Sequence, residues 1–312
     1  MKRLTLFFFS FLLLTVTACA QDQDVSVDRH ELLRDVRILA SDALEGRYAG
    51  SVGSRMAQEF IIHRFEELEL KNFGESYKQY FDHTHPETGE EFEDAVNLIG
   101  YLEGSEYPER FIVLTAHYDH LGVQNGEIYN GADDNASGVG GLLAAARWFS
   151  EHQLENSILF IAFDAEEQRL GGARYFVQNP VVLLEKMVLN INMDMISTNF
   201  ENELYAVGTY HYEYLKPMIE ESTDDSPLDV LFGYDSDEWD QDWTLASDHG
   251  AFHEVGIPFI YFGVEDHPHY HQPTDTFENI NPDFYLQSVT TIIKFIRDID
   301  GRLDEVVEAS GR

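Results

Sequence analysis

Five short apolar runs constrain this chain more than any other feature: VNLIGYL from residue 96, FIVLTA from 111, SILFIAF from 157, MVLNINM from 187 and PFIYFG from 258. Each has the length of a strand and is apolar at successive positions, as strands covered on both faces are. Helix-like segments accompany them. HELLRDVRILAS and GSRMAQEFIIHRFEELEL come first, and in the second Met56, Phe60, Ile61, Phe65 and Leu68 share one face at helical spacing. Ala136 to Phe149 reads as another. In the last, Asn281 is a natural N-cap, Pro282 takes the first helical position, and Leu286, Val289, Ile293 and Ile296 make the buried stripe. Residues 73–95 read as polar and irregular. The alternation predicts an α/β fold, a three-layer α/β/α sandwich around a mixed, largely parallel central sheet. Ligand sites in such sheets form at the carboxyl ends of the strands.

Several runs end in residues able to hold a metal. FIVLTA runs into His117, SILFIAF into Asp164, Glu166 and Glu167, and MVLNINM into Asp194. On parallel strands these side chains meet along one edge of the sheet. Asp119 follows His117 by two, so in extended chain it shares a side and is placed to accept the second imidazole N–H, while His120 reads as a neighbour. GADDNASG sets Asp133 and Asp134 side by side before small residues that let a helix start close to the sheet, and HPHYHQPTDT adds His267, His269 and His271. Adjacent carboxylates repel unless solvent or a cation compensates. Two histidines with three or four carboxylates form the donor set of a pair of zinc-type ions, one carboxylate bridging and one of two adjacent glutamates free to act as base. Taken singly, an HxD or EE pair, a DD turn and a histidine-rich loop are ordinary surface. Their joint occurrence at strand ends is what carries the argument.

The 312 residues, 44% of them hydrophobic, suffice for one full core. A formal net charge of −37 argues against a nucleic-acid partner, which needs a basic face. Lys2 and Arg3 precede an apolar run from Leu4 to Val16, too short to span a bilayer, and VTAC follows. Cys19 is the only cysteine, so no intramolecular disulfide can form. This stretch resembles the lipobox of bacterial lipoproteins. The resemblance implies a signal peptide over residues 1–18 and a lipidated Cys19 with a tether over 19–29, which leaves a single domain over 30–312. The expected location is the bacterial cell envelope, with a lipid anchor in the membrane and no protein partner.

The series HYD, GADDNASG, DAEE, NMD and SDHGAF…HYHQPTDT, with LASDALEGRYAGSVGS and NLIGYLEG nearer the amino end, resembles the co-catalytic di-zinc aminopeptidases of peptidase clan MH. That family includes bacterial leucyl aminopeptidases and relatives of glutamate carboxypeptidase. The resemblance implies two zinc ions per chain, one held by His117 and Asp194, the other by Glu167 and His271, with Asp133 bridging and a cis peptide joining Asp133 to Asp134. It implies Glu166 as general base, Asp119 as the group orienting His117, and Asp134 and Asp248 as supporting carboxylates. The implied reaction is hydrolysis of the first peptide bond of substrates with a free amino end. Scarce cations agree with binding an ammonium: between residues 118 and 290 the only ones are Arg147, Arg169, Arg174, Lys186 and Lys216. The alternatives are a carboxypeptidase or dipeptidase of the same fold, a glutaminyl cyclase-like enzyme, and a non-catalytic binding lipoprotein. A tyrosine that stabilises the oxyanion in some members has no counterpart in WTLASDHG, where Trp243 and Thr244 stand, and GYDSDEWDQDW is expected to form a loop over the site.

Overall fold

A computed structural model describes residues 24–312; the signal-like run and Cys19 lie outside the described residues. The strands in chain order are β1 (Lys78–Thr84), β2 (Glu91–Leu102), β3 (Tyr107–His117), β4 (Gly122–Gln124), β5 (Glu127–Tyr129), β6 (Asn156–Phe163), β7 (Met187–Met193), β8 (Glu203–Val207), β9 (Asp229–Leu231) and β10 (Phe259–Gly263). The helices are α1 (Arg29–Leu39), α2 (Val52–Glu67), α3 (Gly138–Glu151), α4 (Gly171–Gln178), α5 (Lys216–Ser222), α6 (His249–Glu254), α7 (Pro282–Asp300) and α8 (Leu303–Ser310).

Eight strands make one sheet in the order β1-β2-β6-β3-β7-β10-β8-β9, and β4 pairs with β5 apart from it. Its middle, β6, β3, β7 and β10, is parallel. Antiparallel pairings enter at the flanks, where β2 meets β1 and β6, and where β8 meets β10. All five apolar runs of the sequence are strands of this sheet, and four of them are its parallel middle.

Alternation along β3 shows why the sheet is covered twice. Ile112, Leu114 and Ala116 enter the main core with residues of α1, α2, α3 and α7, whereas Phe111 and Val113 enter a second core with Ala173 and Phe176 of α4 and Ala251 and Phe252 of α6. Helices on both faces are the three layers expected, and each large apolar side chain so buried contributes roughly 1.5–3 kcal/mol. In α7, Asn281 accepts from the N–H groups of Asp283 and Phe284, and Val289, Ile293 and Ile296 are buried.

Three local readings need correcting. Met56 is 44% exposed; α2 instead buries Ala57, Ile61, Phe65 and the aliphatic stem of Arg64, whose Nε meets Asp35 Oδ2 at 3.2 Å. The stretch read as irregular contains β1, an edge strand with a single buried side chain, Phe81. The folded body also reaches into the expected tether, since Val25 and Val27 pack on the main core and Asp28 caps α1 by accepting from His30 and Glu31 N–H groups at 2.9 and 3.0 Å. Among the described residues, no helix is long and apolar enough to cross a membrane.

Candidate metal centre

The carboxyl ends of the parallel strands converge on one spot. His117 is the last residue of β3, Glu166 and Glu167 follow β6, Asp194 follows β7, and the loop after β10 carries His267 and His271. Asp133 and Asp134 come from the turn ahead of α3. Gly131 has φ 56°, and a Cβ there would lie 2.1 Å from the Asp134 carbonyl oxygen, so the turn requires glycine. Gly138 lets α3 start against β7, where a Cβ would meet the Met193 carbonyl oxygen at 2.4 Å. Asn135 stitches the same contact, donating from Nδ2 to the Met193 carbonyl at 2.9 Å and accepting from Gly138 N–H at 2.8 Å.

Two groups of donors share Asp134. In the inner group His117 Nε2 lies 3.3 Å from Asp194 Oδ1, 3.4 Å from Asp134 Oδ1 and 4.0 Å from Glu166 Oε2. In the outer group His271 Nε2 lies 3.0 Å from Asp134 Oδ2 and 3.5 Å from Glu167 Oε2, and His120 Nδ1 lies 2.7 Å from Glu167 Oε1. His120, read as a bystander, is therefore part of the cluster. Its only sequence signal is its place three residues after His117.

Asp133, expected to bridge, is turned away. Its Oδ1 accepts from Ser197 N–H at 2.7 Å and Ser197 Oγ–H at 2.8 Å, and its Oδ2 faces His267 Nε2 at 2.8 Å. The second aspartate of the pair occupies the central position instead. The cis peptide lies one residue later than expected as well, between Asp134 and Asn135. Asp275, which the sequence reading left without a role, holds the turn from behind by accepting the N–H groups of Asp133 at 2.9 Å and Asp134 at 3.1 Å.

The Asp119 carboxylate faces His117 as expected, its Oδ1 lying 3.6 Å from His117 Nδ1, and it has a second task. It accepts the backbone N–H groups of Glu166 at 3.0 Å and Glu167 at 3.3 Å and so fixes the glutamate turn, and the Asp119 backbone carbonyl adds a contact to His117 Nδ1 at 3.2 Å. Arg47, from the LASDALEGRYAGSVGS stretch, is fully buried and ties the loops together. Its Nε donates to the Tyr118 carbonyl at 2.7 Å, Nη1 to the Leu39 and Asn130 carbonyls at 2.6 Å, and Nη2 to the Gly131 carbonyl at 2.9 Å. Burial lowers its pKa to about 10, against the raising influence of Asp275, Asp134 and Asp119.

The electrostatics are those of a site built for cations. Burial, with the charges of Asp194, Asp248 and Glu167, pushes the Glu166 carboxyl well above its ordinary range, and His117 only partly offsets this. Asp248 is fully buried and is likewise pushed up, chiefly by burial; among the described residues neither of its oxygens has a hydrogen-bond partner. His117 loses proton affinity through burial but gains more from Asp194, Glu166, Asp119 and Asp134. His117 Nε2 and Asp194 Oδ1 are buried without a hydrogen-bond partner among the described residues, although each lies close to the other. Buried polar atoms left so are costly, and a crowd of buried carboxylates more so, unless a cation sits between them. Nitrogen and carboxylate donors in this arrangement fit a divalent ion of the zinc type.

Trp243, from the loop expected over the site, does line it, stacked on Tyr234 with ring centroids 4.0 Å apart. Thr244 is occupied elsewhere, its Oγ1 lying 3.0 Å from His211 Nε2.

Comparison with known proteins decides the family. The family model of Peptidase family M28 matches residues 97–296, which include every donor described above. The chain belongs to Peptidase family M28. Aminopeptidase YwaD of Bacillus subtilis (strain 168) is 32% identical over 207 residues, a match that spans 62% of this chain but only 42% of that relative's length. In fold the chain is similar to a leucine aminopeptidase precursor from Bacteroides thetaiotaomicron, with a TM-score of 0.72 at 18% identity over 88% of this chain and 98% of that one. It is equally similar to a glutaminyl cyclase from the same organism, with a TM-score of 0.71 at 19% identity over 87% and 98% of the two chains. Likeness at that level of identity speaks for the M28 fold, and the chemistry has to be argued from the side chains.

Proposed function

We propose that the chain is a two-zinc aminopeptidase. His117, Asp194 and Asp134 would hold one ion, Glu167, His271 and Asp134 the other. When bound, zinc supplies Lewis acidity, polarising a carbonyl and making nearby water easier to deprotonate. Glu166 reaches the same space as the inner donors without being needed as one of them. Its Oε2 takes a proton from the water that attacks the carbonyl carbon, and passes it to the leaving nitrogen as the C–N bond breaks. Asp119, by holding both glutamate N–H groups, keeps Glu166 directed inward and Glu167 outward.

The observation that carries the amino-end preference is the pocket of about 90 Å³ at the centre, bounded by Asp134, Glu166, Glu167, Asp194 and Asp266 and, on its apolar side, by Met195, Trp243, Tyr261 and Val264. None of the described residues lining it is Lys or Arg. With Asp134, Glu167 and Asp194 turned to the ions and Glu166 to the water, Asp266 is the lining carboxylate left to meet a terminal ammonium, beside space for a modest apolar side chain. The test is hydrolysis of leucyl-glycine and its N-acetyl derivative by the zinc-loaded protein, with a chelator control. The free peptide should be cleaved at least tenfold faster, and equal rates would refute the aminopeptidase reading.

We also propose export and lipid anchoring at Cys19, supported by the charged start, short apolar run and VTAC of the sequence. Cells fed labelled palmitate should label the wild-type chain and leave Cys19→Ala unlabelled; an unlabelled wild type would end that proposal.

A further inference from the structure

Across Glu166, Glu167, Ala246 and Tyr270 the central pocket adjoins a second cavity of about 300 Å³. Its remaining lining is Arg169, Leu170, Arg174 and Leu245. Met195, Trp243, Tyr261 and Val264 line only the first space, and the arginines line only the second. The two cavities therefore flank Glu166 with opposite chemistry. For a chain of net charge −37, with five cations between residues 118 and 290, two of them in one small cavity is a marked concentration.

The backbone at Arg169 is fixed by the turn it belongs to. Arg169 and Leu170 have left-handed backbones, φ 71° and 61°, a conformation that disfavours residues with a side chain. They complete the glutamate turn, which is closed by Leu170 N–H to the Glu166 carbonyl at 2.8 Å and Gly171 N–H to the Ala165 carbonyl at 2.7 Å. The backbone that aims Glu166 thus also sets Arg169 beside it. Each guanidinium meets one surface carboxylate, Arg169 with Glu87 at 2.7 Å and Arg174 with Glu254 at 3.7 Å. A guanidinium has five N–H donors, so one such partner leaves donors for a second carboxylate, and exposed pairs rearrange at little cost.

We propose that this second cavity receives the leaving part of the substrate and that Arg169 and Arg174 recognise a free carboxylate on it. The preferred substrates are then short peptides that release a single amino acid or a dipeptide, a size in keeping with a cavity at the small end of the range for ligand pockets. Glu166 and Glu167 in the shared wall would otherwise repel an anionic leaving part, which is the reason a cation pair is needed there. The inference rests on the peptidase reading above, though not on which end of the substrate is recognised first.

The test is steady-state kinetics of the zinc-loaded protein on Leu-Gly, Leu-Gly-NH2, Leu-Glu-NH2 and acetyl-Leu-Gly. Leu-Gly should exceed its amide in kcat/KM by about tenfold, mainly through KM, as the loss of one charge-assisted contact predicts. Equal values for the two overturn the proposal, as does a gain confined to Leu-Glu-NH2, which would assign the arginines to acidic side chains. In the double variant R169Q/R174Q, checked for folding by a thermal melt, the Leu-Gly to amide ratio should fall to about 1, and R169K/R174K should restore part of it. A ratio that persists in the folded glutamine variant also overturns the proposal; should the double variant not fold, R169Q and R174Q singly carry the same comparison. Failure of the aminopeptidase reading shows separately, as equal turnover of Leu-Gly and acetyl-Leu-Gly. No turnover of any substrate would remove the peptidase reading and this inference with it.

Discussion

The inner and outer halves of the metal centre use the same residue types and differ in what those residues already have. In the inner half His117 Nε2 and Asp194 Oδ1 are buried and lack partners among the described residues. In the outer half the imidazoles already pair with carboxylates, His120 with Glu167 at 2.7 Å and His271 with Asp134 at 3.0 Å, and His271 is 37% exposed at its side chain. Both inner atoms lack a hydrogen bond, whereas in the outer half Glu167 and Asp134 already face imidazole nitrogens and, of its donors, His120 Nε2 is left without a partner among the described residues. The difference teaches that the two ions should be bound unequally, the inner one more firmly.

Several experiments would break or sharpen that contrast. The largest effect is expected from the adjacent glutamates. Glu166→Gln should lose about 10³-fold or more in kcat with both ions retained, while Glu167→Gln should lose the outer ion as well as activity, so metal analysis beside turnover separates base from ligand. The same result for both variants would erase the distinction. Arg47 supports the loops of both halves, and Arg47→Met leaves four backbone carbonyls without their donor; urea unfolding should show a loss of about 3–5 kcal/mol, and a loss under 1 kcal/mol would remove it from the architecture.

Smaller effects follow away from the ligands. His249, stacked on Tyr261 and 2.8 Å from the Trp243 carbonyl through Nε2, is pushed down to about 3 by burial. Because its folded value lies below the ordinary 6.5, the unfolded chain takes up a proton first as pH falls. Its contribution is intact above pH 6.5 and is lost toward pH 3, on the order of a few kcal/mol, so unfolding curves of His249→Phe should be flatter than wild type across that window. The mildest test is stepwise chelation. A graded chelator should remove the outer ion first, and His271→Ala should keep the inner one; simultaneous loss would contradict unequal halves.

Much of this was legible in the sequence, for a physical reason. Parallel strands buried on both faces must be continuous apolar runs, so MVLNINM and SILFIAF announced themselves, and the residues directly after them had to sit at the sheet's carboxyl edge. Strands with one wet face carry no such signal, which hides β1. The site was harder where identity depends on rotation. Asp133 and Asp134 are the same side chain one residue apart in a turn of irregular backbone, and only the fold around Gly131 decides which faces the donors. Arg47 was hidden for another reason: its four acceptors are backbone carbonyls, which every sequence has, brought together from Leu39, Tyr118, Asn130 and Gly131 by the fold alone.

The central claim is that Asp134, and not its neighbour, joins the two halves. Metal analysis of purified Asp133→Asn and Asp134→Asn after zinc loading and buffer exchange tests it most directly. The account predicts that Asp134→Asn retains neither ion firmly while Asp133→Asn keeps both; retention of both ions by Asp134→Asn, or their loss in Asp133→Asn alone, would contradict it.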